Sequence, residues 1–262
     1  MKSKSIIAGI LAAIAVAFAA VSGLSSNESR QQGAQDVSPS KKKKNFSSKE
    51  EFEGQFPLTD YSTAEPSNEA ERSKKKARDK RYNKKSQIAL SEHSTDIVNF
   101  TDWETDLPAL PAARSQAVVI GRVKAAQAHL SSDKAAVYSE FTVQVDEVLK
   151  TDVVESPPPD SLITVTRGGG RVRFPSGHIT VKHIAGQGMP LAGRQYVFFL
   201  ERDAEEKDFH ILTGYELRGD RVFTLDFPQE GHPINQYHDV DKATFMNALR
   251  LAVAGPQSAI RN

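Results

Sequence analysis

The feature that most constrains this chain is a succession of short β-type segments that begins after residue 106. Each segment alternates apolar with polar side chains or is rich in β-branched residues, and Gly- or Pro-containing turns separate the segments. Eight strands are predicted, at 117–123, 137–148, 162–166, 171–174, 178–184, 195–200, 209–213 and 221–225. Many short strands joined by turns are typical of a barrel or a sandwich. The chain is therefore predicted to be mainly β.

Three details favour a small closed OB-like barrel, with a β-sandwich as the alternative. The first strand contains a glycine, Gly121, where a bulge or bend is expected. The second strand is long, and the segment 195–200 is an almost continuous apolar run, which predicts a central strand buried on both faces. A single helix is predicted at 242–254, with Asp241 as its cap and an apolar stripe at helical spacing. The predicted domain comprises residues 107–262.

The first 24 residues have the pattern of a signal peptide or a membrane anchor. Lys2 and Lys4 precede a run from residue 6 to residue 24 that is almost entirely apolar or small. Ala17-Phe18-Ala19 is a small-x-small cleavage site, whereas the uncleaved run would just span a bilayer. The basic start predicts that the N-terminus stays in the cytoplasm. We therefore expect an extracytoplasmic protein, periplasmic or secreted, or one anchored in the inner membrane by residues 6–24.

Residues 25–106 are predicted to form a disordered charged linker. Ser, Asn, Gln, Lys and Glu dominate this stretch, and such a composition buries too little apolar surface to offset the entropy of ordering. The charges occur in blocks, and the last block has nine Lys or Arg residues between residues 72 and 85, interrupted by one aspartate. We expect this block to be a solvated tether, transiently helical near 68–85. Contact with phospholipid or an anionic envelope polymer is the alternative.

The absence of cysteine excludes several kinds of site. Disulfides, thiolate catalysis, iron–sulfur clusters, Cys-based zinc sites and a lipoprotein anchor all require this residue. The formal net charge is only +1, so the whole molecule has no strong preference for an anionic or cationic partner. A nucleic-acid partner is not expected, because an export segment precedes the basic block.

Four motifs resemble those of a widespread group of exported, uncharacterised bacterial proteins. They are VVIGRV at 118–123, the stretch from 141 to EVLK at 147–150, GGRV at 169–172 and GRQYVFFL at 193–200. The domain of that group is similar to the OB-like barrel of tissue inhibitors of metalloproteases and of netrin modules. The resemblance covers about two-fifths of the chain and implies fold and export. It implies no functional residue, because the inhibitors chelate their target's metal through an N-terminal cysteine, which this chain lacks.

Basic side chains on neighbouring strands form one candidate binding site. Arg171 and Arg173 alternate along a predicted strand and so share a face, and Lys182 falls on the next strand. With Arg167 they are candidates for an anion or partner contact, and a solvated polar face is the favoured interpretation. The intervening glycines, residues 168–170, lack the Lys-Ser/Thr of a Walker loop and open no helix, so a hairpin turn is expected.

No catalytic, cofactor-binding or metal-binding residue is predicted. The metal-ligand types cluster in sequence at only one place, which comprises His232, His238, Asp239 and Asp241. No His-Glu-x-x-His motif accompanies them. Ser176 and His178 are candidates for a hydrolytic triad, but no Gly-x-Ser-x-Gly elbow surrounds the serine.

The protein is therefore expected to be a non-enzymatic binding module of the cell envelope. Its expected partner is a protein or an anionic envelope polymer, and contact of the basic linker with a membrane surface is the alternative to a solvated tether. One alternative is an exported hydrolase, which would need a converging Ser/His/Asp or His/carboxylate set in a cleft. The other is a purely structural tethered module, which predicts a featureless barrel surface.

Overall fold

The structure is a computed structural model, and it describes residues 54–83, 90–93, 97–99, 106–153, 156–202, 208–227 and 230–255. All of them belong to one compact unit, Phe46–Asn262. The predicted signal peptide or anchor, residues 1–24, lies outside the described residues. Within the described ranges, neither helix combines the length and the apolar character that a membrane span requires.

The described chain is mainly β, as predicted. Its elements in chain order are β1 Leu58–Asp60, α1 Glu69–Asn83, β2 Ile97–Asn99, β3 Ala117–Leu130, β4 Val137–Thr151, β5 Leu162–Gly168, β6 Gly170–Arg173, β7 Ile179–Ile184, β8 Gln195–Arg202, β9 Phe209–Arg218, β10 Arg221–Thr224, β11 Val240–Asp241 and α2 Lys242–Ala254. A short 3-10 helix, Pro233–Tyr237, precedes β11. The eight strands predicted from the alternation correspond to β3 to β10.

Five strands form a ring of pairings within a seven-stranded sheet. β3 pairs antiparallel with β4 and β8, β4 pairs with β5, and β8 pairs with β9. β5 and β9 complete the ring in parallel, through only Val165↔Phe209 and Thr166↔His210. The ring therefore closes only through a narrow seam, which matches neither the predicted closed barrel nor the sandwich alternative in full. These five strands are called the barrel below. The β3–β4 register shifts beside Gly121, where the bulge is predicted.

The ring encloses one apolar core, and a second core lies outside it. Phe198 and Leu200 of β8 pack into the interior, whereas Val197 and Phe199 pack outward under α2, and all four are 0% exposed. The prediction that this strand is buried on both faces is confirmed.

Helix α2 covers the outer core with an apolar face. Phe245 and Leu249 are fully buried, and Met246 lies beside them. The Asp241 carboxylate accepts the Thr244 N–H at 2.9 Å and so caps the first turn. The predicted helix 242–254 and its cap are confirmed.

A second, four-stranded sheet has the order β1-β6-β7-β2. β6 and β7 pair antiparallel, and β1 and β2 flank them in parallel. Both edge strands come from the predicted disordered linker. That prediction is wrong for residues 54–83 and 97–99. Their own apolar content is low, but β6 and β7 supply backbone partners that the composition of the linker cannot reveal.

The glycine run at 168–170 connects the large sheet to the small one. β5 ends at Gly168 in the large sheet, and β6 begins at Gly170 in the small one. Gly169 between them has a φ of +108°, and an added Cβ would lie 2.9 Å from the Lys182 carbonyl oxygen. The predicted hairpin turn is wrong, because β5 and β6 do not pair with each other.

Candidate functional site

Arg167, the first residue of the predicted anion contact, is completely buried. Its Nη1 lies 2.8 Å from Asp226 Oδ1, and its Nη2 donates to Asp226 Oδ2 at 2.9 Å. The guanidinium also donates to the Gly188 and Leu212 carbonyl oxygens at 2.7 and 3.3 Å. Burial raises the pKa of the Asp226 carboxyl, and the Arg167 charge with hydrogen bonds from Gly188 and Thr213 opposes that shift. Arg167 is an internal clamp, and its predicted contact with a partner is wrong.

Lys182 lies on the strand next to β6, as expected, but on the opposite face from the arginines. It pairs with Gly170, whereas Arg171 pairs with Val181, and directly opposed residues share a face. Its ammonium donates to the Ala135 carbonyl oxygen at 2.7 Å. Burial lowers the pKa of Lys182 to about 8. This buried side chain anchors the β3–β4 loop, so its predicted contact with a partner is also wrong.

Arg171 and Arg173 share a face, and both face the segment around β1. Arg171 Nε donates to the Phe56 carbonyl oxygen at 2.8 Å. Arg173 is 49% exposed at its side chain and lies 3.7 Å from the Asp60 carboxylate. Only Arg173 of the four predicted residues presents much of its side chain to solvent. The four do not converge on one site.

The predicted sequence cluster at 232–241 separates into local contacts. His232 and Asp241 each accept a backbone N–H at the start of a helical turn. His238 Nδ1 lies 2.9 Å from the Thr224 hydroxyl oxygen, and Asp239 forms an ion pair. In the part of the chain that the structure describes, no group of three His, Asp or Glu residues is placed to hold a metal ion.

The candidate hydrolytic residues meet only in a turn. Ser176 Oγ accepts the backbone N–H of His178 at 3.4 Å, between β6 and β7. The imidazole of His178 faces the Phe174 ring, with their centroids 6.5 Å apart. This geometry is that of a serine-stabilised turn and does not favour a nucleophile–base pair.

Helix α1 lies against the outside of the ring and contacts it through polar side chains. Arg78 forms ion pairs with Glu140 on β4 and with Asp208, the residue before β9. The neighbouring Asp79 accepts the Ser132 N–H of the β3–β4 loop at 2.8 Å. These contacts connect α1 to β4, to the start of β9 and to the β3–β4 loop.

Tyr82, in the last turn of α1, is buried in a seat on the barrel. Its ring stacks on Tyr138 with centroids 5.0 Å apart and planes inclined by 10°. A Cβ added to Gly168 would lie 3.3 Å from the same ring, so this glycine forms the floor of the seat. The Tyr82 hydroxyl donates to Thr166 Oγ1 at 2.8 Å and lies 3.2 Å from His210 Nδ1.

The surface beneath α1 consists of two cross-strand rows, and we call it the covered face. Its rows are His129–Tyr138–Gly168 on β3, β4 and β5, and Glu140–Thr166–His210 on β4, β5 and β9. Directly opposed residues in neighbouring strands project to the same side of a sheet. The covered face therefore offers aromatic rings beside hydrogen-bonding and acidic groups.

Burial shifts the ionisation of this face. Burial, with the nearby charges of Arg78 and Lys75, lowers the pKa of His129 to about 4, so its imidazole is neutral at pH 7. Burial raises the pKa of Glu140, and Arg78 opposes that shift. Burial also raises the pKa of Tyr138. Perturbed groups of this kind mark functional sites as well as structural ion-pair networks.

The outer side of α1 is basic. The helix has seven Lys or Arg residues and three Asp or Glu residues, and seven minus three leaves a net charge of +4. Its exposed basic side chains, here called the outer basic face, are Arg72, Lys74, Lys76 and Lys80. Glu69 pairs with one of them, Arg72, at 2.9 Å. The helix thus presents cations to solvent while its inner side contacts the barrel.

Sequence reasoning missed the docking of α1, although a signal is present. Lys75, Arg78, Asp79 and Tyr82 are spaced i, i+3, i+4 and i+7, which places them on one helix face. Three of the four are charged, so a search for apolar periodicity does not register them. The expected transient helix near 68–85 located the element but not its partner.

No protein-family model matches this chain, and a search of curated proteins finds no similar sequence. The resemblance to exported barrel proteins stays a prediction. Any assignment of function therefore depends on the geometry of α1 and of the covered face.

Proposed function

We propose that this protein is an exported or membrane-anchored, non-enzymatic binding module of the cell envelope. Its outer basic face contacts an anionic envelope polymer or an anionic membrane surface. The observation that carries the proposal is that the inner and outer sides of α1 place their cations differently. Arg78 is engaged by carboxylates of the barrel, whereas Lys74 and Lys76 are exposed on an ordered helix.

Because the helix is ordered, its cations bind an anionic surface more strongly than the same cations on a disordered tether would. The docked helix holds its cations at fixed spacing, so less conformational entropy is lost when they meet an anionic surface. Lysines near an anionic surface contribute about 1 kcal/mol each. Two of them therefore account for about a 30-fold change in affinity, since about 1.4 kcal/mol is tenfold.

The test uses the full chain and the Lys76→Gln/Lys80→Gln variant. Glutamine keeps high helix propensity, so the substitution removes charge without unfolding α1. Affinity is measured for inorganic polyphosphate by fluorescence anisotropy, and for phosphatidylglycerol vesicles against pure phosphatidylcholine vesicles by co-sedimentation. We expect binding that weakens with salt and falls about 30-fold in the variant. A preference for the polymer or for the vesicles identifies the source of the anion.

The matched control is Lys124→Gln/Arg250→Gln, which removes two exposed cations outside α1. We expect this variant to bind like the unsubstituted chain. Equal losses in the two variants would show that only net charge matters. Absence of binding to every anionic probe would refute the proposed contact.

Export is tested separately by fractionating a Gram-negative host and measuring the mass of the protein. Cleavage after Ala19 with a soluble periplasmic product indicates a secreted module. An intact mass in the membrane fraction indicates an anchor at residues 6–24. Intact protein in the cytosol would refute export.

A further inference from the structure

The two helices are attached to the barrel by different forces. α2 buries Phe245, Met246 and Leu249 against the outer core. In α1, the buried residues are Asp79 and Tyr82, and only the tyrosine brings apolar surface. The attachment of α1 therefore depends mainly on ion pairs and hydrogen bonds, which another helix with the same groups at the same spacing forms equally well.

The covered face nevertheless matches α1 at several separate points. Glu140 of the covered face, together with Asp208 before β9, engages one guanidinium, that of Arg78. Gly168 and Tyr138 form a slot for one aromatic ring, that of Tyr82. The guanidinium and the ring are four residues apart, which is one turn of helix.

Specificity for a tyrosine follows from the end of the slot. Thr166 Oγ1 accepts the Tyr82 hydroxyl at 2.8 Å, and His210 Nδ1 lies 3.2 Å from it. A phenylalanine would fill the slot but would leave the buried Thr166 Oγ1 without the hydroxyl that donates to it. The covered face thus distinguishes a basic helix with Arg and Tyr four residues apart from other basic helices.

We propose that the covered face is a binding site for a basic helix bearing Arg and Tyr at this spacing, and that α1 is its exchangeable occupant. A partner that supplies such a helix displaces α1 from the barrel. The site is separate from the proposed anionic contact, because that contact uses the opposite side of α1. Failure of one proposal leaves the other intact.

The test measures binding of a fluorescent peptide with the sequence of residues 65–83 to the full chain. The receptor variant is Arg78→Gln/Tyr82→Ala, which weakens the internal occupant and leaves the covered face unchanged. We expect this variant to bind the peptide about tenfold or more tightly than the unsubstituted chain, where α1 already fills the site. A peptide carrying Arg78→Gln and Tyr82→Phe should bind at least about tenfold more weakly than the natural peptide.

A blocked receptor provides the matched control. Adding Gly168→Val to the receptor variant fills the floor of the slot and should abolish peptide binding. Circular dichroism and urea unfolding establish that each variant keeps its β structure. The proposal would be overturned if the folded receptor variant did not bind the natural peptide, or bound both peptides equally.

Hydrogen exchange on the unsubstituted chain tests exchangeability without any substitution. We expect the α1 amides to exchange through local detachment of the helix, about tenfold or more faster than the α2 amides. If α1 and the barrel strands exchange together as one cooperative unit, α1 is a fixed part of the fold and the proposal fails.

Discussion

Replacing Arg167 with Met should lower the free energy of unfolding by about 3–5 kcal/mol. Arg167 and Asp226 are both 0% exposed, so removal of the cation leaves a carboxylate out of contact with water. Two neutral donors remain for it, the Gly188 N–H at 2.9 Å and the Thr213 hydroxyl at 2.8 Å. Burial already raises the pKa of Asp226, so the loss of Arg167 favours its protonation in the folded state.

A double-mutant cycle separates the charge from the lost packing. In Arg167→Met/Asp226→Asn neither charge remains, and asparagine still accepts a hydrogen bond. We expect the double variant to be more stable than the sum of the two single variants by about 1–3 kcal/mol. Urea unfolding at pH 7, followed by circular dichroism, provides all four free energies.

Arg173→Met is the matched control, because Arg173 belonged to the same predicted site but is half-exposed. Its loss should cost no more than about 0.5 kcal/mol. Equal losses in Arg167→Met and Arg173→Met, or a cycle without coupling, would refute the assignment of Arg167 as a buried clamp. Reduced polyphosphate affinity in a fully stable Arg167→Met variant would restore its role in binding.

Three further outcomes are expected from the geometry. Burial lowers the pKa of His129 to about 4, so the unfolded chain takes up a proton below about pH 6.5 that the folded chain does not. Stability should therefore fall as pH drops from 6.5 towards 4, by at most about 3 kcal/mol, and His129→Phe should remove this slope in urea titrations at several pH values. Gly188→Ala should cost more than about 3 kcal/mol, because the added Cβ would lie 1.9 Å from the Leu225 carbonyl oxygen, and an unchanged urea midpoint would contradict this. In the same assay, Arg78→Gln should destabilise the protein more than Glu140→Gln. Loss of Arg78 leaves the Glu140 carboxylate uncompensated, whereas Glu140→Gln removes a charge that burial disfavours. The reverse order would contradict this reasoning.

The strands of the barrel were predictable because their alternation of apolar and polar residues follows directly from the burial of one face. β4 alternates over 141–145 and buries Phe141, Val143 and Val145 in the core. The helix 242–254 was equally readable, since its apolar stripe and its cap Asp241 are local signals. Each of these elements is stabilised mainly by one buried face, and a buried face appears in the sequence as a periodic spacing of apolar residues.

The candidate site was less predictable because its groups are polar and lie far apart in the chain. Arg167 looked like a surface cation, and only its distant partner Asp226 explains its burial. Tyr82 and Thr166 are 84 residues apart in sequence, yet they share a hydrogen bond. No local pattern encodes such a pair, because polar residues are compatible with solvent and with a satisfied interior position alike.

The sequence by itself therefore determined the mainly β character, the positions of β3 to β10, the C-terminal helix and the absence of every cysteine-dependent site. Only the tertiary structure decided where residues 54–83 and 97–99 of the charged stretch lie. Segments with little apolar surface do not order themselves, so β1, β2 and α1 depend on partners supplied by the barrel and the small sheet. Whether such a segment is a tether or part of the fold depends on whether the surface that it contacts supplies those partners.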